Sequence, residues 1–290
     1  MPMSIFPDIN IRIKQLVLQP DEIVIRELTA FLQINAFAES ENDSKLDQQE
    51  QIELMHKKRK LVAQFSKLII HGCFPVSCLL PLVRNYVSHF TDFGDIFNNL
   101  LYKCRDVDFV ETAETLVTAL QEMFEELLET KKQLDPLSDS FNALRDLAKR
   151  FASAFGSDYS KNRYAVATIH KSAIDFAFRD FDTTPKGNDK PPKNLFFLEI
   201  AIEFSSKLLA QDKAAVMRYL NKTYPEAAPG KGQWEPYKLY IASLTEKRND
   251  FNDDASSVRS FSTVRSDSSH RSTPRGRGRG RGGIRRNVDF

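Results

Sequence analysis

The chain predicts an all-α fold, an irregular HEAT-like helical-repeat solenoid with a disordered basic C-terminal tail. Three observations carry that reading. Apolar residues recur at i, i+3, i+4, i+7 spacing nearly throughout. Only 11 Gly and a single Trp among 290 residues argue against a turn-rich sandwich or barrel. The helices are unequal and follow no sharp repeat, which favours HEAT-type pairs over the stricter tetratricopeptide pattern.

Leu61, Phe65, Leu68 and Ile69 form one apolar stripe, stopped by Gly72 with Pro75 beyond it. Ala113, Leu116, Val117, Leu120, Phe124, Leu127 and Leu128 form another, with Asp108 and Glu111 as a capping box at its start. Phe141, Leu144, Ala148, Phe151 and Phe155 form a third, ended by Gly156. Ser160 is expected to cap the next helix, which runs to about Asp180. That helix, with Val166, Ile169, Ala173, Ile174 and Phe178, is apolar on more than one face. So is Leu195 to Leu209, with Phe196, Phe197, Ile200, Ile202 and Phe204. Such helices are expected to be sandwiched between neighbours. The predicted breaks fall at Pro20, Ser40, Gly72, Phe90, Asp106, Pro136, Asp158, Pro185 to Pro192, Gln211 and Pro225 to Gly232.

A boundary is expected near Asn249, dividing helical repeats over 1–248 from a tail over 249–290. The tail is Ser-rich and then Arg-Gly-rich, too polar to bury a core. It holds nine Arg against five Asp, whereas the whole chain is only +2, so residues 1–248 are about −2. Hydrophobic residues make up 41% of the chain, enough for a large core in the helical part.

Chemistry-bearing constellations are sparse. Cys73, Cys78 and Cys104 sit in apolar, helical contexts and read as buried thiols of a reducing compartment. The stretch His71 to Cys78 lacks zinc-ligand spacing. His170 has Asp175 five residues on, a poor acid–base spacing, and reads as a core or helix-surface histidine. Glu122, Glu125, Glu126 and Glu129 read as a solvated face, with Lys131 and Lys132 complementing the helix C-terminus. No cofactor, metal or catalytic group is expected, and no apolar run approaches the ~18 residues of a membrane span.

Basic features point elsewhere. Lys57, Lys58, Arg59 and Lys60 are consecutive at an expected helix start, where Lys57 shares a face best with Lys60. They are either phosphate contacts or a solvated first turn. Arg145, Lys149 and Arg150 form a second strip, near Lys161, Arg163 and Lys171 in sequence. In the tail, Arg275, Arg277, Arg279, Arg281, Arg285 and Arg286 alternate with flexible Gly. Such segments track phosphates and stack on bases with little sequence preference; the same run also suits nuclear import or solubility. Ser262, Ser266 and Thr273 lie among these arginines as candidate phosphorylation sites that would cancel charge.

Four blocks carry a resemblance: HKKRKLVAQFSKLII (His56 to Ile70), AKRFASAFG (Ala148 to Gly156), IHKSAIDFAF (Ile169 to Phe178) and LFFLEIAIEFSSKLLAQDK (Leu195 to Lys213). Phe93-Gly94-Asp95-Ile96 sits between the first and second. In this order and spacing they resemble the C-terminal part of the cohesin stromal antigen (stromalin) subunit, over roughly Glu39 to Asp212. The resemblance implies a HEAT-like scaffold in the nucleus, on chromosomes. It implies docking on the kleisin and other cohesin subunits, chromatin and DNA contact, and a role in sister-chromatid cohesion and chromosome segregation. Asp95, Arg150 and Lys171 are the matched positions expected at the surface. Family members are several times longer, and their upstream repeats are implied to carry much of the kleisin contact. A solenoid begun at Met1 is expected to expose an apolar end face including Ile5, Phe6, Ile9, Ile11 and Ile13. The alternative is a helical adaptor whose Arg-Gly tail binds RNA or single-stranded nucleic acid.

Overall fold

A computed structural model describes residues 20–38, 46–130, 135–179, 181, 191–224 and 234–245. Among them are ten α-helices and no strand: α1 (Glu22–Leu32), α2 (Gln48–Ile70), α3 (Leu80–Arg84), α4 (Phe90–Val107), α5 (Phe109–Thr130), α6 (Asp139–Ala154), α7 (Tyr159–Ala177), α8 (Phe197–Ile202), α9 (Ala210–Thr223) and α10 (Glu235–Thr245). The fold is all-α, a stack of helical repeats. The tail, including the six arginines of its Arg-Gly run and the three phosphorylation candidates, lies outside the described residues, as do Lys131, Lys132 and the end-face isoleucines before Pro20.

Local chemistry sets most boundaries. Asp47 and Glu50 form a reciprocal capping box at the head of α2, their side chains each accepting from the other's backbone N–H at 2.8 and 3.1 Å. Gly72 (φ 72°) and Gly156 (φ 68°) follow α2 and α6 in the left-handed conformation that stops a helix. At the head of α5 the Asp108 carboxylate accepts from the N–H groups of Val110 and Glu111. The other half of the expected box is not made. Glu111 turns away and accepts from Ser77 N–H at 3.1 Å, tying α5 to the 3-10 turn Val76–Leu79.

The body rests on one continuous apolar core. Helix α2 packs on α4, α5 on α7, and α8 on α10, with α7 also held by α8 and α9. Helix α7 is therefore covered on most sides, as its apolar pattern requires: Ala165, Val166, Ile169, His170, Ala173, Ile174 and Ala177 are all buried. Phe124 is the hinge of an aromatic cluster with Phe141, Phe176 and Phe197, centroids 5.4 to 6.4 Å away.

Four expectations are corrected. Helix α7 is capped by Asp158, whose carboxylate accepts from Lys161 N–H at 3.0 Å, so Ser160 is already inside it. Leu195 to Leu209 is not one helix. It breaks after Ile202 into a 3-10 turn at Ser205–Lys207 and an extended Leu209, so α9 begins before Gln211. The reason is tertiary: Ser205 Oγ sits 3.0 Å from Ser243 Oγ on α10, and the turn lets both Phe204 and Leu208 enter the core. Cys104 alone lies in an α-helix; Cys73 follows α2 in a turn and Cys78 is in a 3-10 turn. Lys57 to Lys60 lie in the middle of α2, because that helix begins at Asp47 rather than near His56.

Candidate nucleic-acid and partner interface

The basic run of α2 divides by direction. Arg59 points across to α4, where Nη1 donates to the Asp92 carbonyl and Nη2 to the Asp95 carboxylate at 2.7 Å. That guanidinium holds the Asp95 carboxyl below the usual carboxylate range. Asp95 is exposed, as expected, but it faces this chain's own arginine. Lys57 and Lys60 of α2 are exposed, and Lys58 is half-buried.

Arg150, a turn before the end of α6, holds its guanidinium 4.7 Å above the Phe90 ring, at the start of α4. Beneath it Tyr86 is buried; burial pushes the phenol up, and Arg150 works against that rise. The arginine is still exposed on its outer side. Lys171 stands elsewhere, on α7, with Nζ 5.4 Å over Tyr219 of α9. It lines an open groove of about 410 Å³ between α5 and α7 that also contains Glu114, Thr118 and Asp175. Tyr219 donates to Asp175 at 2.7 Å, and its phenol is pushed up to about 12, by burial first and then by that carboxylate. Arg150 lies over Phe90 and Lys171 over Tyr219, so the strip read from sequence divides between two places.

Three other body arginines are held by carboxylates of neighbouring helices. Arg84 pairs with Glu122 and Glu126, Arg179 with Glu125, and Arg163 with Asp212. The acidic face of α5 is solvent-exposed, as expected, and three of its glutamates also cross-link to arginines of neighbouring segments. Arg163 Nε and Nη2 reach both oxygens of Asp212 at 2.8 to 3.2 Å. Arg105 donates to the Ala154 carbonyl at 2.6 Å, closing the C-terminus of α6. Sequence reasoning missed these pairs because the partners lie about 40 to 55 residues apart, with no local signal.

Burial pushes the Cys104 thiol up to about 12 and the Cys78 thiol up to about 11, with Glu111 adding to both. All three cysteines are free, and no group of three metal-ligating side chains occurs among the described residues. His170 is wholly buried. The candidate basic residues of the body thus fall at three places: the lysines of α2, Arg150 over Phe90, and Lys171 over Tyr219.

Residues 109–248 match the family described as the STAG protein C-terminal domain. The chain is 54% identical over 262 residues to cohesin subunit scc-3 of Caenorhabditis elegans, covering 90% of this chain and 23% of that protein. The chain belongs to the stromal antigen family. Cohesin subunit SA-1 of Xenopus laevis is 38% identical over 238 residues, 79% of this chain and 19% of the relative. Human cohesin subunit SA-3 is 32% identical over 243 residues, 82% and 20% respectively. This stromal antigen chain therefore spans about a fifth to a quarter of the relatives it matches. The family match begins at α5 and runs through α10, beyond the Asp212 at which the block resemblance stops.

Proposed function

We propose that this chain acts within a cohesin subunit of the stromal antigen type, a non-catalytic scaffold that binds the kleisin and other cohesin subunits and contacts chromatin DNA. In this reading it works in the nucleus, on chromosomes, in sister-chromatid cohesion and chromosome segregation. The observation that carries it is similarity to a cohesin subunit across 90% of the chain, on a fold built wholly of stacked helices. A helical stack presents long grooves that suit an extended or helical partner segment. Lys57, Lys58, Lys60, Arg150 and Lys171 are the body residues assigned to phosphates, and Arg275 to Arg286 the tail residues. Phosphate on Ser262, Ser266 or Thr273 would weaken the tail's hold.

The Arg-Gly tail supports a second reading, an RNA-binding adaptor. Co-expression of the 290-residue chain with a kleisin, with and without residues 275–286, separates the two. The cohesin reading expects a complex that survives tail removal. Failure to co-purify with the kleisin, together with RNA bound only through the tail, overturns it.

A further inference from the structure

Helices α5 and α7 run side by side in the same direction. Lys161 Nζ stands 4.6 Å over the Phe109 ring where both helices begin. Gln121 Nε2 donates to Ser172 Oγ at 3.0 Å midway, and Glu125 meets Arg179 just past the end of α7. At 100° per residue, Tyr164, Thr168, Lys171 and Asp175 share an arc of about 60° on α7. Val110, Glu114 and Thr118 share one of about 80° on α5. Between these stripes lies the open groove of about 410 Å³, with buried Val117 in its lining. A turn before the groove the stripes carry Val110, 38% exposed, and Tyr164, 80% exposed. A tyrosine standing clear of a helix face is the residue type that anchors partner segments.

This end of the groove is rich in acceptors. Glu111, Glu122, Glu125 and Glu126 of α5 are all engaged by other groups of the chain. Glu114 is exposed and has no ion pair or hydrogen bond among the described residues. Thr168 Oγ1 donates to the Tyr164 carbonyl at 3.0 Å, which leaves its lone pairs to accept. Lys171 does not compensate Glu114, because its Nζ is drawn over the Tyr219 ring. Such a surface complements a segment that brings donors and positive charge. A nucleic-acid strand would meet the Glu114 carboxylate with its own phosphates.

We propose that the groove between α5 and α7 binds an extended, basic segment of a partner protein. An apolar side chain of that segment packs on Tyr164 and Val110, and a neighbouring lysine or arginine meets Glu114. The Thr118 and Thr168 hydroxyls lie where the segment's backbone crosses.

The test pans a random twelve-residue peptide library displayed on phage against the full 290-residue chain, Glu114→Lys and Tyr164→Ala. Both residues are exposed, so each variant should melt within about 2 °C of the unaltered chain. Peptides enriched on the unaltered chain are expected to carry Lys or Arg within four residues of an aliphatic or aromatic side chain. The tightest of them, made synthetically, should bind Tyr164→Ala at least tenfold more weakly and Tyr102→Ala, altered on α4, equally well. Glu114→Lys should select Asp or Glu in place of the basic residue. No enrichment, peptides indifferent to both changes, or a preference for basic residues that survives Glu114→Lys overturns the proposal. So does a duplex oligonucleotide that shields Tyr164 from hydroxyl-radical footprinting, which would put nucleic acid there. A concentration-dependent dimer abolished by Tyr164→Ala also overturns it, by placing a second copy in the groove.

Discussion

His170 Nδ1 and the Tyr240 hydroxyl lie 2.8 Å apart, and neither residue exposes any surface. The contact joins α7 to α10 through the middle of the core. Burial lowers the His170 pKa to about 4, with Lys213 adding to the fall and the Phe204 carbonyl opposing it. Nε2 makes no hydrogen bond of ordinary geometry, so burial wins. The folded chain therefore holds His170 neutral, while the unfolded chain protonates it near pH 6.5. Stability from this group is complete above about 6.5 and declines as pH falls toward 4, by about 3 kcal/mol in all. Urea unfolding across that range checks it: His170→Phe should flatten the decline. Tyr240→Phe, which leaves Nδ1 unpaired, should cost about 1–3 kcal/mol at neutral pH.

Gly94 sits inside α4, where alanine would ordinarily stabilise by about 1 kcal/mol. Here an added Cβ would lie 2.9 Å from the Phe90 ring. That ring is pinned under Arg150 and beside Tyr86, with centroids 5.2 Å apart, so it has little room to yield. Gly94→Ala is expected to be net destabilising by about 1–2 kcal/mol. Thermal unfolding should show a lowered midpoint; a raised one would mean that the ring moves freely.

Arg59 and its lysine neighbours should part company. Arg59→Ala removes two bonds to α4 and is expected to lower stability by about 1 kcal/mol, the pair being partly solvent-screened. Lys57→Glu with Lys60→Glu should leave unfolding within about 0.5 kcal/mol of the unaltered chain. The same pair should weaken DNA binding and reduce the salt slope by about 2 if both lysines touch phosphate. Fluorescence anisotropy over a salt series reads this directly.

A separate contribution is expected from the tail. If the six arginines of its Arg-Gly run all engage duplex phosphates, replacing them with serine should flatten the salt dependence by about 5. Kleisin association should not change. A phosphomimetic set at Ser262, Ser266 and Thr273 should move binding in the same direction by a smaller step.

Much of the helical framework was legible before any coordinates. Gly72 and Gly156 stop helices where they were expected to, and the all-round apolar pattern of α7 announced its burial. The block resemblance reached the right family through stretches of α2, α6, α7 and the segment from α8 into α9, whose buried positions fall at core-facing spacing. The misplacements are also local: Asp158 lies two residues from the expected cap, and the capping box at Asp47 starts α2 early enough to set its lysines in mid-helix rather than at a helix start. The candidate interface was harder to read, because a string of basic residues does not say which will be claimed by carboxylates.

The sequence by itself determined that this protein is a run of helices, where most begin and end, and which family it belongs to. Apolar period, caps and left-handed glycines act within a few residues and need no neighbours. Only the tertiary structure decided that Arg59, Arg84, Arg163 and Arg179 close onto this chain's own carboxylates, that Ser205 bends the chain toward α10, and that His170 meets Tyr240. Those outcomes depend on which helix faces come together across tens of residues, and that is settled by packing the whole core at once.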